Sequence, residues 1–317
     1  MGAARSGTTL FRLMLNRHPR LAVPPESHFL LRLFEQLPIN RKLSPEEVRQ
    51  AAEIIIRHPR FRTWHINEDR LRASFDEIGP CHLRELVDCA FRLEVARTAK
   101  PRWGDKTPAY SDCWEQIAEL YPDARLIHII RDGRDVSASL GNVGWHGRTE
   151  YERAKYWSSR VSLARECERR LGPQRCLTVR YEDLVLDTEE TLKRVCSFLE
   201  EDYAPAMTRF YEDSLDHVSD FDGPVHGKLN RPPEKDDVDC WRNDVSRVRI
   251  LLFESVAGRA MDALCYERYF GGRMAGLMPV IGQLYPLIGV HAERAYRFFH
   301  RPACLPAQAR RRGGIGN

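Results

Sequence analysis

Apolar residues recur along this chain in two patterns, one spaced for helices and one gathered into short runs. Thr8 to Arg17 is apolar on nearly all sides, as a helix buried between a sheet and other helices would be. His18-Pro19 ends it, because the residue before a proline disfavours the αR region. Ser44-Pro45-Glu46-Glu47 supplies a cap, a proline at the first helical position and a capping-box glutamate; Val48, Ala51, Ala52 and Ile55 follow at helical spacing. Leu83, Leu86, Ala90 and Leu93 mark one face of a helix from about Pro80 to Ala99. Further helices are predicted from Ser111 to Tyr121, from Thr149 to Leu171 with Gly172-Pro173 closing it, from Asp187 through Leu199, and from about Asp244 to Cys265. The short runs Arg125–Ile130 and Cys176–Arg180 read as buried parallel strands by their length and β-branched content. Strands alternating with helices predict an α/β fold with a central parallel sheet, whose ligands sit at the carboxyl ends of the strands.

The first helix is opened by Gly2-Ala3-Ala4-Arg5-Ser6-Gly7-Thr8-Thr9. Its glycines allow a tight turn and a close approach by an anion. Successive backbone N–H groups and the positive end of the helix dipole then form a phosphate cradle. The spacing is that of a P-loop, with one departure: Thr8 stands where a nucleotide triphosphatase has lysine, and the nearest cation is Arg5.

The chain has 317 residues, 43% of them hydrophobic, enough for one large α/β domain with an appended tail. Residues 1–270 read as that domain, with a helical insertion at about 40–100, and residues 271–317 as a C-terminal extension. Within the extension an apolar patch precedes a basic tail ending Arg310-Arg311-Arg312. The 49 basic and 45 acidic residues leave a net charge of +4, too balanced for a nucleic-acid partner but compatible with a local basic pocket. Nine scattered cysteines without a Cys-x2-Cys pair support neither a disulfide framework nor a zinc site; reduced thiols in the cytoplasm are expected. A signal peptide or N-terminal anchor is not expected, since the phosphate loop begins at residue 2. Residues 274–290 are lipid-tolerant, but Pro279, Gln283 and Pro286 interrupt a stretch already too short to span a membrane. Peripheral contact through that stretch stays open.

Taken in order, the polar motifs resemble a known family. The phosphate loop is followed by Pro25-Glu26, by Gly104-Asp105-Lys106-Thr107-Pro108, and by Tyr121-Pro122-Asp123-Ala124-Arg125. Then come Arg131-Asp132-Gly133-Arg134-Asp135-Val136 with Ser139, and Arg180-Tyr181-Glu182-Asp183-Leu184. Over residues 2–267 the chain resembles the sulfotransferases that use 3′-phosphoadenosine 5′-phosphosulfate (PAPS), and within them a bacterial branch related to tyrosylprotein sulfotransferases. The resemblance implies a P-loop-containing nucleoside triphosphate hydrolase-like three-layer fold. It also implies transfer of a sulfuryl group to a hydroxyl or amine, with no metal required. The physical reading agrees: this donor has no β,γ-pyrophosphate for a lysine and magnesium to bridge, so a loop offering Arg5, backbone N–H groups and threonine hydroxyls suits it.

By the same resemblance, Arg5, Ser6, Gly7, Thr8 and Thr9 bind the phosphosulfate, Arg131 and Ser139 the 3′-phosphate, and Tyr181 and Lys228 the nucleotide. Glu26 is the expected general base, with His28 its rival, and Lys106 and Arg5 face the leaving oxygen. Other readings remain for some of these: a salt bridge with Asp132 or Asp135 for Arg131, and a plain core residue for Tyr181. Arg134 and Asp135 read as a supporting ion pair and helix cap. Trp145, His146 and Arg148 are candidates for an acceptor pocket. The acceptor class is open among carbohydrate, peptide tyrosine, lipid and small metabolite. Competing functions are a nucleotide-binding protein with a decayed site and a P-loop small-molecule kinase. The family's first apolar strand precedes the loop, and here Met1 stands in its place. The expectation is a truncated first strand, a weakly anchored loop, and upstream codons for the missing residues.

Overall fold

The computed structural model describes residues 1–143, 147–212, 229–271 and 284. After the phosphate loop come α1 (Thr8–Asn16), β1 (Leu21–Ala22) and α2 (Phe29–Gln36). The stretch expected to be a helical insertion holds α3 (Pro45–Ile56), α4 (Glu68–Ile78) and α5 (Leu83–Val95). Next are β2 (Arg102–Trp103), α6 (Trp114–Leu120), β3 (Leu126–Ile130), α7 (Gly133–Val143), α8 (Glu150–Leu171) and β4 (Cys176–Arg180). The described part closes with α9 (Tyr181–Leu186), α10 (Thr188–Leu199), α11 (Trp241–Asp244) and α12 (Arg247–Ala263).

β3 and β4 pair in parallel along their whole length, from Leu126 opposite Cys176 to Ile130 opposite Arg180. Period-two alternation sorts their side chains. Ile127, Ile129, Leu177 and Val179 face a core shared with α1, α9 and α10. Leu126 and Ile130 point the other way, towards α7, α8 and α12. The result is a helix–sheet–helix sandwich, as the alternating pattern predicts. β1 and β2 form a second parallel pair, too short to carry a periodic signal. α2 to α5 share a core of their own with α6, in which Leu33, Ala51, Leu71 and Leu86 are fully buried.

The first residues do hold a strand position. Gly2 bridges Ile129 in parallel, the Met1 ammonium donates to the Ile127 carbonyl at 2.8 Å, and the Ile129 N–H donates to the Met1 carbonyl at 3.0 Å. The loop beyond is pinned as well: Gly2 N–H donates to Ser111 Oγ at 3.0 Å and Ala4 N–H to the Tyr156 hydroxyl at 2.9 Å. Weak anchoring is therefore not what the structure shows, because partners from the α6 approach and from α8 replace strand hydrogen bonds. Between the two strand pairs lies a cavity of about 420 Å³, lined by Leu21, Val23 and Trp103 on one side, Ile127 and Ile129 on the other, and Met1.

Several boundaries differ from the sequence expectation. α7 starts at Gly133, which puts Asp135, the expected cap, inside its first turn; Asp132 caps it instead, accepting the Arg134 N–H at 2.8 Å. α2, α4 and α9 are additional helices. Residues 213–228 lie outside the described residues; beyond them is a short 3-10 turn at Lys235–Asp237. Among the described residues no helix is long and apolar enough to cross a membrane. The apolar stretch 274–290 lies, apart from Leu284, outside the described residues.

Candidate active site

Every parallel strand delivers one motif to the same carboxyl edge. The phosphate loop follows Met1–Ala3, Pro25-Glu26 follows β1, Asp105-Lys106 follows β2, Arg131 follows β3 and Tyr181 follows β4. Convergence at this edge is what a parallel sheet imposes on residues distant in sequence.

The loop takes left-handed backbone at Arg5 (φ 71°) and Gly7 (φ 85°) before entering α1. At Gly7 a side chain has no room: a Cβ would lie 2.3 Å from the Tyr181 ring. Tyr181 is thus seated against the loop, and the Arg131 guanidinium lies 4.4 Å above its ring. Burial pushes the Tyr181 phenol up to about 12. Arg131 also pairs with Asp135 at 3.1 Å and donates to the Asp237 carbonyl at 3.2 Å. The pair with Asp135 is therefore real but buried, not a surface bridge. Arg5 Nε donates to Ser139 Oγ at 3.0 Å, which brings two of the expected phosphate ligands into direct contact.

Whether this cradle suits an anion can be judged from its polar atoms. Ser6, Thr8 and Thr9 are buried at the N-terminus of α1, and Ser6 Oγ has no hydrogen-bond partner among the described residues. A buried hydroxyl without a partner, amide groups at a helix start and an arginine in the loop together fit a phosphate or phosphosulfate.

Glu26 lies beside the cradle. Lys106 Nζ donates to Glu26 Oε1 and lies 3.3 Å from Thr9 Oγ1, tying the carboxylate to the first turn of α1. His28 Nε2 approaches Glu26 Oε2 at 2.7 Å, and Arg60 from the insertion stands 3.8 Å away. Burial opposes ionisation of Glu26, yet the Lys106 charge and the hydrogen bonds from His28 and Lys106 hold it far below the usual carboxylate range. His28 adopts φ 58° and stacks on His58, ring centres 6.0 Å apart. Burial, with His28, Arg32 and Arg60 nearby, holds His58 down to about 4.

A buried polar clamp fixes the two loops that carry Glu26 and Lys106. Ser27 Oγ bonds the Asp105 carboxylate and lies 2.6 Å from the Tyr110 hydroxyl; Ser27 N–H donates to Thr107 Oγ1 at 3.2 Å, and Thr107 Oγ1 donates to Asp105 at 2.9 Å. Burial pushes the Asp105 carboxyl up to about 6. Sequence reasoning missed Ser27, Asp105 and Tyr110. Asp105 at least stood inside a quoted motif, one residue from Lys106. Arg134 behaves as expected, bonded in the interior to Asp132 at 2.7 Å and Glu254 at 2.8 Å. Asp135 serves differently from a cap of its own helix, accepting the Trp241 N–H at 2.7 Å. Lys228, Trp145 and His146 lie outside the described residues, and Arg148 is exposed ahead of α8.

The sequence pattern of the sulfotransferase family matches residues 1–205, about two thirds of the chain, and the chain belongs to that family. Among curated proteins it is similar to the protein-tyrosine sulfotransferase of Drosophila melanogaster, 24% identical over 222 residues that cover 67% of this chain and 39% of the relative. It is also similar to the nodulation protein NoeE of Sinorhizobium fredii, 29% identical over 143 residues, 44% of this chain and 30% of that one. The chain thus spans less than half the length of these relatives. Among solved structures, the sulfotransferase domain of the Synechococcus PCC 7002 olefin synthase superposes with a TM-score of 0.61 at 22% identity, covering 84% of this chain and 93% of that one. The sulfotransferase domain from the curacin biosynthetic pathway gives 0.58 at 20%, covering 84% and 96%. These likenesses show the fold.

Proposed function

We propose that the chain transfers a sulfuryl group from PAPS to a hydroxyl-bearing acceptor. The observation that carries this reading is the junction of an anion cradle lacking the P-loop lysine with a Glu26–Lys106 pair on the neighbouring loops. A kinase would instead need a lysine in the loop and a magnesium-binding carboxylate directly after a strand, and the residue directly after β3 is Arg131.

In this reading Arg5, Ser6, Gly7, Thr8 and Thr9 hold the phosphosulfate, Arg131 and Ser139 hold the 3′-phosphate, and Tyr181 supports the nucleotide. Lys228 remains a candidate for the same ligand. Bound there, the donor supplies the sulfuryl group and a phosphate that leaves with added negative charge. Lys106 and Arg5 steady that charge. Glu26 takes the acceptor's proton as its oxygen attacks. While Lys106 is paired to it, Glu26 is a weak base, so swinging the ammonium towards the leaving oxygen also frees and strengthens the carboxylate. His28, hydrogen-bonded to the other carboxylate oxygen, is poised to receive the proton next.

Peptide tyrosine is the first acceptor to examine, because the fly relative carries that name; carbohydrate, lipid and small metabolites are the further candidates. On its cysteine pattern we read the protein as cytoplasmic. The test is transfer of labelled sulfate from PAPS to tyrosine-containing peptides and to a carbohydrate panel, with and without Glu26→Gln. Label in an acceptor, lost in the variant, supports the proposal. Equal labelling by Glu26→Gln would hand the base role to His28 or to water.

A further inference from the structure

Behind the phosphate loop, on the sheet face covered by α8, three potential metal ligands from three elements meet: His128 of β3, Cys167 of α8 and Cys176 at the start of β4. All are buried, and their ligand atoms lie within 4.8 Å of one another, the two sulfurs 3.2 Å apart. His128 is fully buried, yet neither ring nitrogen has a hydrogen-bond partner among the described residues. Thr178, opposite His128 in the β3–β4 register and so on the same face of the sheet, carries a buried hydroxyl that is likewise without a partner.

An imidazole enclosed in this way has one N–H lacking an acceptor and one lone pair lacking a donor, an arrangement that native interiors avoid. A disulfide between Cys167 and Cys176 would account for the sulfurs and leave His128 unexplained. A thiophilic cation accounts for all of them. We propose that His128, Cys167 and Cys176 form a structural zinc site that ties α8 to β3 and β4 beneath the phosphate loop. Two thiolates and Zn²⁺ sum to zero charge, the combination cheapest to bury. Zinc–sulfur bonds of about 2.3 Å at a tetrahedral angle separate the sulfurs by about 3.7 Å, so the pair opens by about half an ångström. The Thr178 hydroxyl, on the same face and without a partner among the described residues, is the acceptor we assign to the imidazole N–H that faces away from the metal. The three protein ligands leave the fourth position to an exogenous ligand such as water. On binding, the two thiol protons pass to solvent and no oxidant or reductant is involved. The cysteine spacing hid this cluster, because the ligands join through the sheet pairing and not through a local Cys-x2-Cys hairpin.

The experiment uses the full chain, purified under reducing conditions and stripped of metal, titrated with Co²⁺ and Zn²⁺. The expected result is one equivalent of Co²⁺ showing tetrahedral ligand-field bands and thiolate charge transfer, displaced by Zn²⁺. Zinc should also shield Cys167 and Cys176 from alkylation, and raise the melting temperature by several degrees. Cys167→Ser and Cys176→Ser should each abolish the thiolate band. His128→Leu separates the alternatives. If His128 is only an orphaned core residue, removing its polar atoms stabilises the protein and leaves the cobalt spectrum unchanged, which overturns the proposal. A spectrum without thiolate charge transfer in the wild type, or a Cys167–Cys176 disulfide found by mass mapping in the reduced preparation, overturns it equally.

Discussion

Lys106 and Glu26 are bonded to each other across the ends of the two shortest strands, and Lys106 also reaches Thr9, 3.3 Å away, on the first turn of α1. One ammonium therefore links the anion cradle to the only carboxylate we assign a proton-transfer role. Lys106→Met should lower turnover by about 10²–10³ through loss of charge stabilisation. It should also raise the pKa read from the acidic limb of the pH–rate profile, since its charge is the main influence holding Glu26 down. Steady-state kinetics across pH 5–9 would check both; an unshifted profile would separate the two residues functionally.

Glu26→Gln should reduce kcat by about 10²–10⁴, the range for loss of a general base, while 3′-phosphoadenosine 5′-phosphate (PAP) affinity changes less than about threefold. Single-turnover rates with separately measured PAP binding would show whether the loss lies in chemistry.

Gly7→Ala brings a methyl group within 2.3 Å of the Tyr181 ring at a residue with φ 85°. Destabilisation on the order of 1–3 kcal/mol is expected from strain and overpacking. Adding Tyr181→Ala should relieve the steric part and leave the backbone part, which a double-mutant cycle in urea can read.

Asp105 gives a pH signature. Its buried carboxyl is raised from 3.8 to about 6, so between those values the folded state holds the proton more tightly than the unfolded chain. Stability from this group is present below pH 4 and falls as pH rises through 6, by up to about 3 kcal/mol. Asp105→Asn should therefore gain on the wild type as pH rises from 4 to 7. Parallel stability curves over that window would contradict the assignment. Glu26 acts in the opposite sense: its lowered pKa contributes stability above about pH 4.5 that is lost on acidification.

The layers and the carboxyl-edge location of the site were legible because β3, β4 and the long helices carry their pattern locally. Thr149 and Ser44 each form the capping box their sequences announce. What was not legible depends on pairing at a distance. β1 and β2 are two residues each, and their pairing, with hydrogen bonds from the Arg102 N–H to the Arg20 carbonyl and from the Gly104 N–H to the Ala22 carbonyl, joins segments about eighty positions apart. The Ser27–Asp105–Tyr110 clamp spans about eighty positions of sequence, and no spacing rule anticipates it. The same holds for His128, Cys167 and Cys176. The expectation of a truncated first strand meets a specific geometry: Met1–Ala3 occupy one end of a slot whose remainder is the cavity of about 420 Å³. Joining an apolar, β-branched pentapeptide ahead of Met1 should raise the melting temperature by several degrees; a Gly/Ser pentapeptide should not.

We read the phosphate loop as built for a phosphosulfate nucleotide and not for a triphosphate. Thermal-shift titration of the wild type and Arg131→Ala with PAP and with ATP–Mg²⁺ tests it most directly. PAP should raise the melting temperature of the wild type, Arg131→Ala should weaken PAP binding at least tenfold, and ATP–Mg²⁺ should have little effect on either. Stabilisation by ATP–Mg²⁺ alone, or by neither ligand, would contradict it.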